Sequence, residues 1–484
     1  MGQQLQVGSF GARFARQALT KKLTDQARIG IKPVCFIPIE DEAMSEFRTT
    51  KVTRRAVLKV GAAIGAMPLI EVSRAFAEEP IGNYPAGVSG PSVFVGFTVP
   101  LTGPYSAEGN DLLLGFKLAV EHLNNGGGLV GKISTLSGKG VLGKKIEYKV
   151  ADTQTQPDPA VQGATNFITN NRAILIAGSV SSAVAIALGK VAQRNKVLYL
   201  VGCSGANETT GKDCQRYAFR SQPSAYSAAK ALAPVLAKEL GRNRKAVYLV
   251  PDYAYGHSVH ESTSRFTKEI GWTEVGAQIC PLGTADYSSY LLNIANSGAD
   301  VFVNVAFGAD AVASTKQAKQ FGVLDKMKMV VPNLSAFQAK EVGADIMQGV
   351  YGTLDFWWTL AETNPAAKLF VDSFEAQNKY KPRWPAHIAY TQLLSWADAV
   401  ERAKTFNPVA VIKALEAEHK LQMPLGEVYF RECDHEQVRA VPVVVGKRPS
   451  EMRNAEDFYR IVGLTPGADV MPPCDSVGCN LPSF

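Results

Sequence analysis

The sequence predicts an α/β protein made of two Rossmann-like, doubly wound lobes, each with a parallel sheet and joined by a multi-strand hinge. From residue 92 onward, short apolar segments alternate with segments of helical length. Most of the apolar segments are rich in β-branched residues and bounded by Gly, Pro or Asn, as buried parallel strands are. About eleven candidate strands are many for one such sheet, which favours two lobes.

The first lobe is predicted over residues 92–219. Its strands are expected at 93–100, 144–152, 173–178 and 197–202. After the first strand comes a helix whose apolar face is formed by Leu112, Leu113, Phe116, Leu118, Ala119, Val120 and Leu123. Further helices are expected at 158–170 and 183–195. Repeated strand–helix units with right-handed crossovers place helices on both faces of a parallel sheet.

The second lobe is predicted over residues 220–355, with the same alternation. Its strands are expected at 246–252, 273–280, 300–308 and 327–333. Its helices are expected at 227–240, 258–270, 287–297 and 309–321.

After Phe356 the pattern becomes mainly helical. Helices are expected at 366–380 and 387–406, and Pro408 suits the first turn of another. Short strands follow at 427–430 and 438–447. We expect residues 356–436 to return to the first lobe and 437–460 to the second, with 461–484 forming a C-terminal tail.

The N-terminal region predicts export. Arg54 and Arg55 precede an apolar run from Val60 to Ile70, which ends at the small-residue motif 75–77. This run is shorter than the roughly 20 residues of a membrane span. We therefore predict a twin-arginine signal peptide, handled by the twin-arginine translocase and cleaved near Ala77, and a periplasmic protein. A buried N-terminal helix is the alternative, and residues 1–50 are interpreted as a disordered extension or as the result of an upstream start codon.

The charge distribution argues against a nucleic-acid partner. The net charge is +7, but residues 1–77 hold 12 Lys/Arg and 6 Asp/Glu. Only one net positive charge remains for the rest of the chain, whereas nucleic-acid binders keep their basic excess on the folded domain.

Cysteine content agrees with export. Removal of the signal leaves six cysteines: Cys203, Cys214, Cys280, Cys433, Cys474 and Cys479. An even number in an exported chain predicts disulfides. Two pairs are close enough in sequence to close short loops, Cys203/Cys214 and Cys474/Cys479. Cys280 and Cys433 would then form the remaining pair. The sequence alone leaves the connectivity open. Zinc at 474–479 is disfavoured because no His or third Cys lies nearby.

The loops after the strands carry the candidate binding residues, because ligands of open parallel sheets bind beyond the carboxyl ends of the strands. These loops are 102–109, 179–182, 203–207 and 253–257, and two further strands end at Phe307 and Asn333. Serines at strand-to-helix junctions add donors to a helix N-terminus that favours anions. We expect Ser181, Ser182 and Ser204 to hold a carboxylate; simple N-capping is the alternative for each.

Several segments, in order, resemble one family. They are VFVGFTVPLTGPYSAEGNDLLLGFKLAVEHLNNGGGLVGK, LIAGSVSS, LVGCSGANETT, VYLVPDYAYG and LLNIANSGADVFVNVAFGADAVASTKQAKQFG. Over roughly residues 92–450, the chain resembles the periplasmic solute-binding proteins of ABC importers, of the branched-chain amino acid, amide and urea type with the type I two-lobe fold. The resemblance implies two hinged lobes that close on a small polar ligand and then dock on a membrane permease.

The resemblance also implies roles for individual residues. The loop holding Tyr105, Ser106 and Glu108, together with the three serines, matches positions that hold the ligand carboxylate or amide. Backbone contacts are implied for Gly205 and Ala206, and covering aromatic contacts from the second lobe for Tyr255 and Phe307. Asn333 stands where amino-acid binders of the family place an acid for the ammonium. Either Glu108 accepts the ammonium instead, or the ligand carries no free amine.

The sequence therefore predicts a monomeric, non-enzymatic binding protein without cofactor, metal or catalytic residues. Its expected ligand is an amino acid, a short amide or urea-like compound, or a small aromatic acid, captured for an ABC importer permease. A periplasmic sensor feeding a membrane kinase or regulator is the alternative. An enzyme on the same scaffold is disfavoured, because we find neither a nucleophile–base pair nor a cofactor loop.

Overall fold

The computed structural model describes residues 90–484 of the chain. The predicted signal peptide at 53–77 and the extension before it lie outside the described residues. Over residues 90–484, we find no helix with both the length and the apolar character needed to cross a membrane.

Helices and strands alternate through most of the described chain. The helices are α1 Ser106–Asn125, α2 Pro157–Asn171, α3 Ser182–Asn195, α4 Ala225–Glu239, α5 Ala254–Glu269, α6 Ser288–Ala295, α7 Gly308–Gln320, α8 Val323–Lys326, α9 Ala336–Val342, α10 Ala344–Met347, α11 Pro365–Asn378, α12 Trp384–Ala403, α13 Pro408–Glu416 and α14 Gly467–Val470. The strands are β1 Ser92–Val99, β2 Lys145–Asp152, β3 Leu175–Gly178, β4 Leu198–Val201, β5 Ala218–Arg220, β6 Lys245–Pro251, β7 Thr273–Cys280, β8 Val301–Asn304, β9 Lys328–Asn333, β10 Tyr351–Thr353, β11 Leu421–Met423, β12 Gly426–Phe430, β13 Gln437–Val438, β14 Val441–Gly446 and β15 Tyr459–Thr465.

Two separate sheets define the two lobes. Lobe 1 is built on the parallel sheet β2-β1-β3-β4-β5. Lobe 2 is built on the sheet β15-β14-β10-β9-β8-β6-β7, in which the strands β6 to β10 are parallel. Strand β14 pairs antiparallel with β10, and β15 pairs antiparallel with β14. In both parallel sheets the strand order reverses beside the first strand, between β1 and β3 and between β6 and β8. Crevices for ligands open at such reversals.

Helix α12 belongs to the core of lobe 1, although it lies far from that lobe in sequence. It packs against α1, where Gly115 meets the backbone of Ala386 so closely that a Cβ atom on residue 115 would lie 2.2 Å from its carbonyl oxygen. Asp111 on α1 accepts a hydrogen bond from the Ala386 N–H at 2.9 Å. A carboxylate from one helix thus satisfies a free N–H in the first turn of the other.

Three crossing segments connect the lobes, at residues 221–224, 354–364 and 439–440. A fully buried ion pair joins two of them. Arg220, before the first crossing, bonds Glu436, before the third, at 2.7 Å. The other carboxylate oxygen of Glu436 accepts the Ser224 N–H at 2.8 Å. The ends of distant segments are therefore held together at the hinge.

The chain forms disulfides, as predicted, but none of the pairs that the sequence suggested. Cys214 pairs with Cys479, and Cys433 pairs with Cys474. Cys203 and Cys280, which the sequence suggested as partners of Cys214 and Cys433, are free and buried. The Cys474/Cys479 pair does not form either. Both observed bonds join the C-terminal segment to lobe 1, over distances that sequence proximity does not indicate.

The C-terminal segment is also partly regular. Strand β15 runs to Thr465 and pairs with β14 along the edge of the lobe 2 sheet. The first residues of the predicted tail therefore belong to that sheet. Beyond it, Gly467 packs against the backbone of Arg439 in the third crossing segment.

Candidate ligand-binding site

Two adjoining cavities lie between the lobes, at the carboxyl ends of the parallel strands. The aromatic cavity, of about 220 Å³ including its open mouth, is lined by Val180, Ser182, Cys203, Gly205, Gln222, Tyr253, Tyr255, Phe307, Asn333 and Trp384. The hinge cavity, of about 390 Å³ including its open mouth, is lined by Gly205, Gln222, Pro223, Ser224, Ala225, Ala228, Ala229, Tyr255, Val259, Thr263, Pro332, Asn333, Thr353, Leu354, Asp355 and Val441. Four residues line both cavities, so the two are neighbours.

Rings from both lobes form one side of the aromatic cavity. Phe307 of lobe 2 lies with its ring centroid 5.8 Å from Trp384 of α12 and 6.1 Å from Tyr255. The Trp384 indole N–H donates to the Leu334 carbonyl of lobe 2 at 3.0 Å. Aromatic faces exclude water while their polar ends keep hydrogen bonds, which suits a site for a small organic molecule.

The lobes are in contact across this site. The hydroxyls of Tyr105 in lobe 1 and Tyr253 in lobe 2 lie 2.6 Å apart. The Ala309 N–H of lobe 2 donates to the Pro104 carbonyl of lobe 1 at 3.0 Å. Gly308 has φ +59° and lies against the Tyr105 ring, where a Cβ atom would approach to 2.4 Å. The structure therefore shows a closed conformation.

Ser182 has a hydroxyl proton left to donate. Its oxygen accepts hydrogen bonds from the Ser204 hydroxyl at 3.1 Å and from the Ala206 N–H at 3.2 Å. The Ser204 hydroxyl in turn lies 2.8 Å from the Thr209 hydroxyl. Since a hydroxyl carries one donor and two acceptor positions, both acceptor positions of Ser182 are occupied. The remaining donor belongs to a buried side chain that lines the aromatic cavity.

Four helices that begin at the cleft have no side-chain cap, whereas α4 is capped by Ser224. Ser181 is the N-cap residue of α3, and its side chain makes no capping hydrogen bond. The same is true of Tyr105 before α1, Tyr253 before α5 and Phe307 before α7. First-turn N–H groups and the positive end of the helix dipole favour an anion at such termini.

Two side chains of opposite charge, Asp355 and Arg439, are buried at the hinge cavity. Burial raises the pKa of Asp355 to about 6, while the charge of Arg439 and a hydrogen bond from Gln222 act in the opposite direction. Burial lowers the pKa of Arg439 to about 10, against the influence of Asp355. The Arg439 guanidinium donates to the carbonyls of Ser221 and Asp355. Both groups lie on crossing segments, so this pair is part of the hinge.

Glu108 lies between the lobes but lines neither cavity. Its Oε1 accepts a hydrogen bond from the Ser335 hydroxyl of lobe 2 at 2.9 Å. Its Oε2 is buried and finds no hydrogen-bond partner in the described part of the chain. Burial raises the pKa of Glu108 to about 7, and the hydrogen bond from Ser335 lowers it only in part.

The structure places the residues singled out from the sequence in two layers. Those that line a cavity are Ser182, Gly205, Tyr255, Phe307 and Asn333. Those that lie outside both linings are Tyr105, Ser106, Glu108, Ser181, Ser204 and Ala206. Several of the second set support the first, since Ser204 and Ala206 bond Ser182. Ser106 is the half-buried first residue of α1.

Sequence reasoning missed Gln222, Tyr253, Asp355 and Trp384 as lining residues. Tyr253 stands in the same loop as Tyr255, so the position of that loop was a usable signal. Gln222 and Asp355 follow no motif, because they line the cavity only through the meeting of separate crossing segments.

Comparison with known proteins agrees with this geometry. The profile of the family described as "Periplasmic binding protein" matches residues 92–450. The chain belongs to this family. It is similar to the Leu/Ile/Val-binding protein homolog 7 of Brucella abortus (strain 2308), with 28% identity over 67% of this chain and 80% of the relative.

Solved structures show the same fold. A periplasmic binding protein from Burkholderia mallei is 25% identical with a TM-score of 0.73, covering 80% of this chain and 98% of that one. The amino acid ABC transporter substrate-binding protein of Pseudomonas fluorescens Pf-5 is 25% identical with a TM-score of 0.72, covering 81% of this chain and all of that one. The chain therefore has the type I two-lobe fold, and these similar proteins are binding proteins.

Proposed function

We propose that this protein is a periplasmic solute-binding protein that captures a small carboxylate-bearing solute between its lobes and delivers it to the permease of an ABC importer. The amino-acid class is the first candidate, because the similar proteins from Brucella and Pseudomonas carry amino-acid names. A small aromatic acid is the other candidate that carries a carboxylate, whereas binding of a short amide or urea-like compound alone would contradict the proposal.

The observation that carries this proposal is the donor arrangement at the start of α3. Ser182 is the first residue of that helix, lines the aromatic cavity and keeps a hydroxyl proton to donate. Its N-cap neighbour Ser181 leaves the first-turn N–H groups without a side-chain cap. A carboxylate is the small organic group that such donors and a helix dipole favour most directly.

Lobe closure supplies the link to transport. Contacts such as the Tyr105–Tyr253 hydroxyl pair exist only when the lobes meet. A ligand that contacts both lobes binds the closed state better, and it therefore shifts the equilibrium towards closure. We propose that the permease distinguishes the closed from the open form.

Calorimetry on the purified mature chain tests the proposal. A panel of small carboxylates and their methyl esters should show binding of at least one acid and loss of binding by its ester. Ser182→Ala should weaken that binding by roughly 1–2 kcal/mol, as loss of a hydrogen bond to a charged group does. Thr391→Val, a change at a buried hydroxyl on α12 that lines neither cavity, is the control. Equal binding of acid and ester, or no effect of Ser182→Ala, would contradict it.

We also propose export by the twin-arginine route and a monomeric mature protein. Substitution of Arg54 and Arg55 by Lys should leave precursor in the cytoplasm, measured by cell fractionation and immunoblotting. Normal processing of the double variant would refute the route. Light scattering of the mature chain should give the mass of a single copy.

A further inference from the structure

The hinge cavity has mostly apolar walls. These walls are formed by Pro223, Ala225, Ala228, Ala229, Val259, Pro332, Leu354 and Val441. Such walls suit the methylene groups of a ligand, because burial of apolar surface contributes to the free energy of binding.

Buried polar groups without partners face this apolar space. Gln222 is 4% exposed, and its carbonyl Oε1 has no hydrogen-bond partner in residues 90–484. Thr263 is 2% exposed, and its hydroxyl is likewise unpartnered in the described chain. An unsatisfied buried polar group costs roughly 1–3 kcal/mol, so a ligand that hydrogen-bonds to both groups would gain binding free energy from removing that cost.

Acceptors dominate among these groups. Gln222 Oε1 is an acceptor, and Asp355, with its carboxylate, lines the same cavity. That carboxylate accepts hydrogen bonds, and the Thr263 hydroxyl both donates and accepts. The complementary ligand group is a donor with several N–H bonds, such as a primary amine or a primary amide.

The aromatic cavity and the hinge cavity adjoin where four residues line both: Gly205, Gln222, Tyr255 and Asn333. Gly205 lies against Tyr255, and a Cβ atom on residue 205 would lie 3.1 Å from that ring. The passage between the cavities is therefore narrow and suits an unbranched chain.

We propose that the ligand is an unbranched acid with an N–H donor at its far end. Its carboxylate lies at Ser182 in the aromatic cavity, its methylene chain passes Gly205, and its terminal amine or amide meets Gln222, Asp355 and Thr263. This inference rests on the proposed function and names the ligand class for the same site. The negative charge of Asp355 strengthens the binding of a terminal amine, and the positive charge of Arg439 weakens it. The binding of a terminal amide, which is neutral, depends less on either charge.

Such a ligand couples binding to lobe closure through the hinge. The residues of the hinge cavity come from the first crossing segment (Gln222), the second (Asp355) and the start of β14 after the third (Val441). A ligand end that contacts all three residues would bridge the segments that connect the two lobes.

The first test is a ligand series on the unmodified mature protein. Calorimetry is carried out with β-alanine, γ-aminobutyrate, δ-aminovalerate and ε-aminocaproate, with the corresponding terminal amides, with the unsubstituted acids of equal length, and with leucine. We expect at least one terminal amine or amide to bind about tenfold or more tighter than its unsubstituted acid, with an optimum at one chain length.

The outcomes separate this inference from the proposed function. If leucine or an unsubstituted acid binds as tightly as every terminal amine and amide, the inference fails while the proposed function stands. If no carboxylate of any kind binds, both fail.

The second test uses isosteric variants and the tightest ligand of that series. Thr263→Val and Asp355→Asn should each weaken it about tenfold and leave the matching unsubstituted acid unaffected, and Asp355→Asn should act more strongly on an amine than on an amide. The control Thr391→Val should change neither affinity. Equal loss for both ligands would show a general structural effect and overturn the placement of the donor end.

Discussion

Replacement of Glu108 by Gln should remove a large part of the pH dependence of stability. Glu108 is 1% exposed, and burial raises its pKa from the ordinary 4.5 to about 7. The folded protein thus holds this proton more tightly than the unfolded chain. Protonation of Glu108 therefore adds to the free energy of unfolding. This contribution is fully present below about pH 4.5 and is lost as the pH rises through 7.

The magnitude follows from the two pKa values. Each unit of pKa corresponds to about 1.4 kcal/mol, so the full contribution is about 3 kcal/mol. Between about pH 5 and pH 8 the unfolding free energy of the wild type should fall by roughly 2.5 kcal/mol through Glu108 alone. A glutamine at 108 is neutral at every pH and lacks this contribution.

Denaturant unfolding at both pH values provides the assay. The fall in unfolding free energy should be roughly 2.5 kcal/mol smaller in Glu108→Gln than in the wild type. Asp355, whose pKa burial also raises to about 6, is present in both proteins and cancels in the difference. Asp111 is close enough to raise the pKa of Glu108, so loss of that carboxyl also lowers the pKa of Asp111 and adds to the difference in the same direction.

A control carboxyl lies on β2. Glu147 is exposed there, so Glu147→Gln should leave the pH dependence unchanged. If the wild type and Glu108→Gln lose the same free energy between the two pH values, the carboxyl does not carry the buried proton, and the reasoning is refuted.

Three further predictions concern packing, covalent links and closure. Gly115→Ala should lower the unfolding free energy by about 1–3 kcal/mol, because its Cβ collides with the backbone of α12; Gly276→Ala, whose Cβ meets nothing within 4 Å, should change little. Replacing both Cys214 and Cys479 by Ser should cost about 2–5 kcal/mol in non-reducing denaturation, and unchanged stability would contradict a structural role. Tyr253→Phe removes the hydroxyl pair between the lobes and should raise the ligand Kd roughly fivefold in calorimetry, whereas an unchanged Kd would show that this pair contributes nothing to closure.

Local elements were predictable from the sequence because hydrophobic periodicity governs them. The helix expected at 183–195 occupies Ser182–Asn195, and the strand expected at 273–280 occupies Thr273–Cys280. The strand expected at 300–308 ends at Asn304, and the residues after it lead to Phe307 at the cleft. The apolar run continues from the strand into the residues that follow it, so periodicity alone does not show where the hydrogen-bonded strand ends.

The candidate site was predictable only where it follows the strand ends. Ser182, Gly205 and Tyr255 stand in loops that a parallel sheet brings to one edge, and those residues line the cavities. Glu108 stands in such a loop as well, yet it bonds Ser335 rather than facing a cavity. The direction of a side chain depends on its packing partners, which periodicity does not contain.

The sequence by itself determined the alternation of strands and helices and therefore the two-lobe α/β class, because those patterns act over ten to twenty residues. Tertiary structure alone decided the cysteine pairs and the hinge cavity. Cys214 and Cys479 are 265 residues apart, and Gln222, Asp355 and Val441 lie on three separate segments. Their proximity results from the chain passing repeatedly between the lobes, and no local pattern records which distant segments meet.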